Sequence, residues 1–410
     1  MEQTILYVIL GILTVEFLLE RTLGYLNKKN TKAQLPSELS EIYDEDKYEE
    51  FIRYSKAKDQ LGNISSIFSF IVTILMLVKG FAWINDYVTS FGLNPMWTSL
   101  AFFGVIGLGS TIISLPFDWY ATFVIEEKFG FNKTTVKTFI LDKIKGLVLG
   151  AVIGGLLLSV FIWFYNAFPE FFWLYAWGIF MVFTLLITMF YTNWILPLFN
   201  KLTPLEDGEL RNAIEAYSNK VDFPLKNVMV LDGSKRSTKA NAFFSGLGKA
   251  KNIVLYDTLI EKMTTEEIVA VLAHEVGHYK KKHTLQMLFI SAVNMLITLY
   301  VLSLVINEPS FSAALGVETQ TPIFHLSLIV FSLLYSPIST ITGLTMNVLS
   351  RKNEFEADAY ARSTSSANDL ISSLKKLSVD ALSNLTPHPA YVFFHYTHPP
   401  LLQRMAALKA

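Results

Sequence analysis

Seven stretches of predominantly apolar residues recur along the chain, at about 4–24, 64–86, 97–119, 146–166, 172–197, 284–306 and 324–348. At roughly 20 residues each, they are long enough to cross a hydrocarbon core of about 30 Å as helices. The first has no basic segment before it and no small-residue cleavage site after it, so it reads as a retained span and not a secretory signal. Two longer polar regions interrupt the series, at about 198–283 and 349–410.

Within the first polar region, Leu205 to Val221 has the spacing of an amphipathic helix. Three short β-like runs follow: Val228–Leu231, Ala240–Ser245 and Asn252–Tyr256. They are broken by Asp232-Gly233 and then by Gly246 and Gly248. That pattern predicts a small meander or a pair of hairpins. Thr264-x-x-Glu267 reads as a capping box opening a helix that runs towards Lys282.

Basic residues fall on one side of the spans. Lys28, Lys29, Lys32, Lys47, Arg53, Lys56 and Lys58 follow the first. Lys128, Lys133, Lys137, Lys143 and Lys145 lie between the third and fourth. Segments 87–96, 167–171 and 307–323 carry no Lys or Arg. By the positive-inside rule the N-terminus is outside, and both large polar regions are cytoplasmic. Lys79, in the outer half of the second span, is read as snorkelling. Glu16, Glu20 and Asp118 lie within or at the ends of spans, where charge is costly unless it faces protein or water.

Composition agrees with a lipid-embedded chain. Apolar residues make up 52% and charged residues 17%, against about 25% charged in a typical soluble domain. A net charge of −1 without a basic face gives no support to a nucleic-acid partner. The chain has no cysteine, so disulfides and thiolate metal sites are excluded and any metal must use His, Asp or Glu.

Candidate chemistry centres on His274-Glu-Val-Gly-His278. Histidines four apart share one helical face and can bind one ion tetrahedrally, while Glu275 is placed to polarise the attacking water. Gly277 leaves room beside the pair. No further His follows at metzincin spacing, because positions 281 and 284 are Lys and Thr. His283 lies about 140° around a continuing helix and reads as a solvated or interfacial residue. A third ligand is available at Glu354, in Asn353-Glu-Phe-Glu-Ala-Asp358, beyond the last hairpin but on the same membrane side. Asp358 shares its face and is suited to orient a ligand histidine, whereas Glu356 points away. Ala240–Ser245 reads either as an edge strand that pairs with an extended peptide or as an ordinary paired strand.

The combination of HEVGH with a distant Glu-Phe-Glu-Ala-Asp-Ala-Tyr-Ala resembles the integral-membrane zinc proteases of the CAAX prenyl protease type. Leu115-Pro-Phe-Asp-Trp-Tyr, Asn241-Ala-Phe-Phe-Ser-Gly and His395-Tyr-Thr-His-Pro-Pro-Leu-Leu-Gln-Arg404 extend the likeness over nearly the whole chain. It implies a polytopic α-helical membrane protein whose seven spans enclose a chamber, with a gluzincin-like protease part and a small β-sheet on the cytoplasmic side. It implies one zinc per chain on His274, His278 and Glu354. It implies that His398 assists the oxyanion, that Arg404 supports the site, and that Asn241, Ala242 and Phe243 contact substrate. Alone, His398 reads as a helix cap and Arg404 as a surface charge, while His388 and His395 read as structural.

The expected organisation is five spans over 1–197, a catalytic region with sheet and HEVGH helix over 198–283, spans six and seven over 284–348, and a catalytic C-terminal segment over 349–410. The expected partners are membrane lipid and peptide or protein substrates, including lipid-modified C-termini. The host membrane is a bacterial inner membrane or the endoplasmic reticulum. Two other readings stand beside this one: a heat-shock-type quality-control metalloprotease, and a transporter or channel with a structural metal.

Overall fold

The computed structural model describes residues 2–246 and 251–410, so Gly248 lies outside the described residues. Helix α1 (Glu2–Asn30) leads into α2 (Glu45–Leu75), which continues through a wide π-type turn at Met76–Gly80 into α3 (Phe81–Thr89). Helices α4 (Pro95–Tyr120), α5 (Val136–Ala167) and α6 (Phe172–Trp194) follow. The polar region then folds as β1 (Leu202–Pro204), α7 (Glu209–Lys220), β2 (Leu225–Leu231), β3 (Ala242–Ser245), β4 (Lys251–Tyr256), α8 (Asp257–Lys262) and α9 (Thr265–Lys280). Helices α10 (His283–Val305), α11 (Pro309–Ala314) and α12 (Phe324–Thr364) return across the apolar part. Helices α13 (Ala367–Asp380), α14 (Pro389–His395) and α15 (Leu401–Lys409) close the chain.

Among the described residues, seven helical segments are long and apolar enough to cross a membrane, and each contains one of the seven apolar stretches to within a residue, several running well beyond it. They pack at their two ends. One buried cluster joins Ile9, Leu77, Phe102, Phe172, Leu302 and Val330. At this end His325 bonds Ser99 and Asn85, each at 3.0 Å, and ties α12 to α4 and α3. The other cluster joins Tyr43, Phe51, Ile125, Ile214, Ile268 and Leu401. In the most apolar window of each of the first six spans, between 6% and 11% of residues are buried. Most of each helix's surface in these windows is therefore left open to lipid or to the space between the helices. The charged span residues have protein partners: Ser336 donates to Glu16 at 2.7 Å, Glu20 lies 3.5 Å from His395, and Lys143 lies 2.6 Å from Asp118.

The sheet departs from the expected meander. Its order is β1-β2-β4-β3; β2 and β4 are parallel, and among the described residues β3 pairs only with β4, antiparallel. The cause is burial. Ile253, Val254 and Leu255 are all buried, so β4 needs cover on both faces and takes a central, partly parallel position. The half-buried β3 is left at an edge. The predicted helix over Leu205–Val221 starts later, at Glu209, because the preceding residues are extended: Leu205 N–H donates to Val228 in β2.

Helix α9 opens with the expected capping box, Thr264 and Glu267 bonding each other's backbone N–H. It lies across α12, and Gly277 is the reason it can. A Cβ there would meet Ala357 Cα and O at 2.9 Å. Helix α12 has 41 residues, about 60 Å at 1.5 Å per residue. It therefore extends well beyond a bilayer core and carries Glu354 and Asp358 out to α9.

Candidate active site

His274 and His278 project from one face of α9 and Glu354 projects from α12 to meet them. The two imidazole Nε2 atoms are 3.1 Å apart. Glu354 Oε1 lies 3.2 Å from His278 Nε2, and Oε2 lies 3.4 Å from His274 Nε2. One ligand atom from each residue falls within 4.8 Å of the others, as a shared ion requires. The donor set fits a divalent ion of the zinc type, with two nitrogens, a carboxylate and space on the cavity side. A second observation agrees: Glu354 Oε2 is buried and accepts no hydrogen bond. His274 Nε2 and Arg404 Nη1 approach it to 3.4 Å without a hydrogen bond, so a metal cation there would complete the partnering of this buried oxygen.

The rest of the cluster holds this set in place. His274 Nδ1 donates to Asp358 Oδ1 at 2.8 Å, which leaves Nε2 free to coordinate. Arg404 grips Asp358 with a two-pronged contact, Nε to Oδ2 at 2.8 Å and Nη2 to Oδ1 at 2.7 Å; its Nη1 is 3.4 Å from Glu354. At 8% exposure Arg404 is a buried member of the cluster and not a surface charge. Burial opposes its charge, and the Asp358 carboxylate outweighs that and holds it firmly protonated. Burial likewise disfavours a charged His274, but Asp358 and Glu354 carry its pKa up to about 9.

His398 comes from the loop before α15, with Nε2 3.2 Å from Glu354 Oε1. It does not cap α15, since Pro400 holds that position. The Thr397 hydroxyl is 2.9 Å from His398 Nδ1. Donation from that hydroxyl leaves the proton on Nε2, aimed into the site. His388 does cap a helix, accepting from Ala390 N–H at the start of α14.

Glu275 and His278 line a cavity of about 1060 Å³, together with Phe243, Phe244 and Ser245 of β3 and Tyr191 of α6. Edge strand β3 thus forms one wall of the space in front of the histidine pair. Asn241 and Ala242 stand at its start; the exposed Asn241 side chain accepts from the Ala242 N–H.

The sequence matches two family descriptions, CAAX prenyl protease N-terminal, five membrane helices, over residues 25–201, and Peptidase family M48 over residues 204–410. The chain belongs to peptidase family M48. This peptidase is 36% identical to the probable CAAX prenyl protease 1 of Schizosaccharomyces pombe, over 96% of this chain and 85% of that one. It is 33% identical to CAAX prenyl protease 1 of Saccharomyces cerevisiae, over 98% and 94%. Its fold matches the crystal structure of S. mikatae Ste24p with a TM-score of 0.94 and 33% identity, over 99% of both chains. The chain is thus a membrane-embedded metalloendopeptidase with a multi-pass fold, as the resemblance implied. The heat-shock and transporter readings are not favoured, because the family match includes the five helices ahead of the peptidase part.

One residue of the peptidase was misread from sequence. His283 is buried, at 4% exposure, and its Nδ1 is 3.0 Å from His278 Nδ1. Glu356 does face away from His274, but its carboxylate lies 3.2 Å from His283 Nε2. The expectation of a solvated His283 assumed one continuous helix. Helix α9 ends instead at Lys280, and Lys282 adopts a left-handed conformation (φ 60°) that turns the chain back. A histidine five residues after HExxH was the available signal, but its direction depended on that break.

Proposed function

We propose that this peptidase is a zinc enzyme that cleaves near the C-terminus of lipid-modified proteins at the cytoplasmic face of its membrane. We also propose that 198–283 and 349–410 form one catalytic unit, split by the hairpin of spans six and seven. The observation that carries the reading is the convergence of His274, His278 and Glu354 beside a cavity walled by an edge strand. The names of the relatives support the substrate class.

A zinc ion bound there supplies Lewis acidity, acidifying water at neutral pH and polarising a peptide carbonyl. Glu275 accepts the proton of the attacking water and returns it to the leaving amine nitrogen. His398 Nε2–H donates to the oxyanion as the carbonyl becomes tetrahedral. Asp358 holds the His274 tautomer, and Arg404 neutralises Asp358 where both are buried. The Asn241–Phe243 segment of β3 pairs with the extended substrate backbone through its open edge.

The test is hydrolysis of a peptide ending in a prenylated CAAX sequence by the purified, metal-loaded protein, beside its unprenylated twin. Release of the C-terminal tripeptide, faster from the prenylated peptide, is expected. Equal rates on both would overturn the lipid requirement. Absence of cleavage of either would overturn the CAAX assignment.

A further inference from the structure

The two histidines of the site are held by different means. His274 has the buried, arginine-clamped Asp358 behind it. His278 has no carboxylate behind it; its Nδ1 meets the ring of His283, whose far nitrogen meets Glu356. The rings of His278 and His283 stand 5.1 Å apart at 73°.

We propose that His283 is a positioning residue for His278, linking it to Glu356 and so fixing which nitrogen of His278 is free for the metal. This deepens the zinc reading above and rests on it. A contact of 3.0 Å between two Nδ1 atoms needs one proton, donated by one ring to the other. His278 Nε2 faces Glu354 and the ligand cluster, so coordination there leaves the proton of His278 on Nδ1. His283 Nδ1 must then accept, which places the His283 proton on Nε2, aimed at Glu356 Oε2 at 3.2 Å. Ligation thus sets one proton order along all three residues. Lys352, 3.7 Å from Glu356, favours its ionised form.

The fold provides for this contact. On a continuous helix, residues five apart diverge by about 140°. Here Lys281 and Lys282 donate to Gly277 and Tyr279 and close α9. The left-handed Lys282 then starts α10 so that its first residue, His283, returns to His278. A non-glycine residue rarely takes that conformation without surrounding structure to hold it. Glu356 is partly exposed where Asp358 is buried, with side chains at 39% and 2%. The His278 arm is accordingly the softer of the two.

The experiment uses full-length, metal-free protein in detergent, titrated with zinc against a chromophoric chelator and loaded separately with cobalt for visible spectra. Wild type is expected to bind one equivalent. His283→Phe keeps the ring volume but removes the acceptor; the zinc dissociation constant should rise about 10- to 100-fold, and the cobalt bands should shift. Asn places an oxygen near the position of Nδ1, so His283→Asn should recover most of the affinity and the spectrum. Glu356→Leu should weaken binding by about tenfold or less. Unchanged affinity and spectrum in His283→Phe, or no recovery in His283→Asn, overturns the proposal. If the Phe variant does not fold, unchanged binding and spectrum in Glu356→Leu overturns it instead. A wild type that binds no zinc, or zinc binding that survives His278→Ala, sinks the metal reading itself, a different result from an indifferent His283.

Discussion

Glu354, Glu356 and Asp358 fall at alternate positions within five residues of one helix and serve three different neighbours. Glu354 faces both imidazoles, Asp358 lies behind His274, and Glu356 faces His283. Their effects on metal content should therefore separate. Glu354→Ala is expected to abolish stoichiometric zinc in metal analysis, whereas Glu356→Ala retains most of it; equal loss in the two would refute the assignment of Glu354. Glu275 does not belong to the ligand cluster but lines the cavity beside His278. Glu275→Gln should leave zinc content unchanged and lower the rate of peptide hydrolysis by about 10²- to 10⁴-fold, the usual worth of a general base. Retained hydrolysis would point to a structural metal. The i,i+4 spacing made His274, His278, Glu354 and Asp358 legible as facing pairs, because helix geometry alone sets it. Arg404 was legible only through a family motif. Nothing local shows that a residue on the last helix reaches a carboxylate 46 positions earlier.

At the scale of elements, the crossing of α9 and α12 governs whether the two ligand-bearing faces meet. Gly277 sits at that crossing with Ala357 backbone atoms where its Cβ would be. Gly277→Ala must therefore separate the helices, at a cost of about 1–3 kcal/mol typical of overpacking. A lower melting temperature of the metal-free protein, together with weaker zinc binding, is the expected outcome. An unchanged melting temperature would mean that α12 yields freely. The capping box of α9 was readable because it spans four residues. The parallel pairing of β2 with β4 was not, because period-2 patterning marks a strand without naming its neighbour. The turn at Lys282 escaped for a related reason: a run of three lysines carries no mark of a left-handed residue.

For the whole molecule, the lack of cysteine makes orientation directly testable. Gln320 and Lys409 are both exposed, and the positive-inside reading puts them on opposite membrane sides. In sealed vesicles of known orientation, a maleimide that does not cross membranes should label Gln320→Cys only from outside and Lys409→Cys only from the cytoplasmic side. The reverse pattern would move the site to the other face. The amino-acid sequence by itself determined the seven spans and the histidine pair, because hydrophobic length and helical spacing are properties of neighbouring residues. Tertiary structure alone decided the order of the sheet, the clamp of Arg404 on Asp358 and the return of His283 to His278. Each of these depends on which distant surfaces bury one another, and the energy of such contacts is spread over segments far apart in the chain.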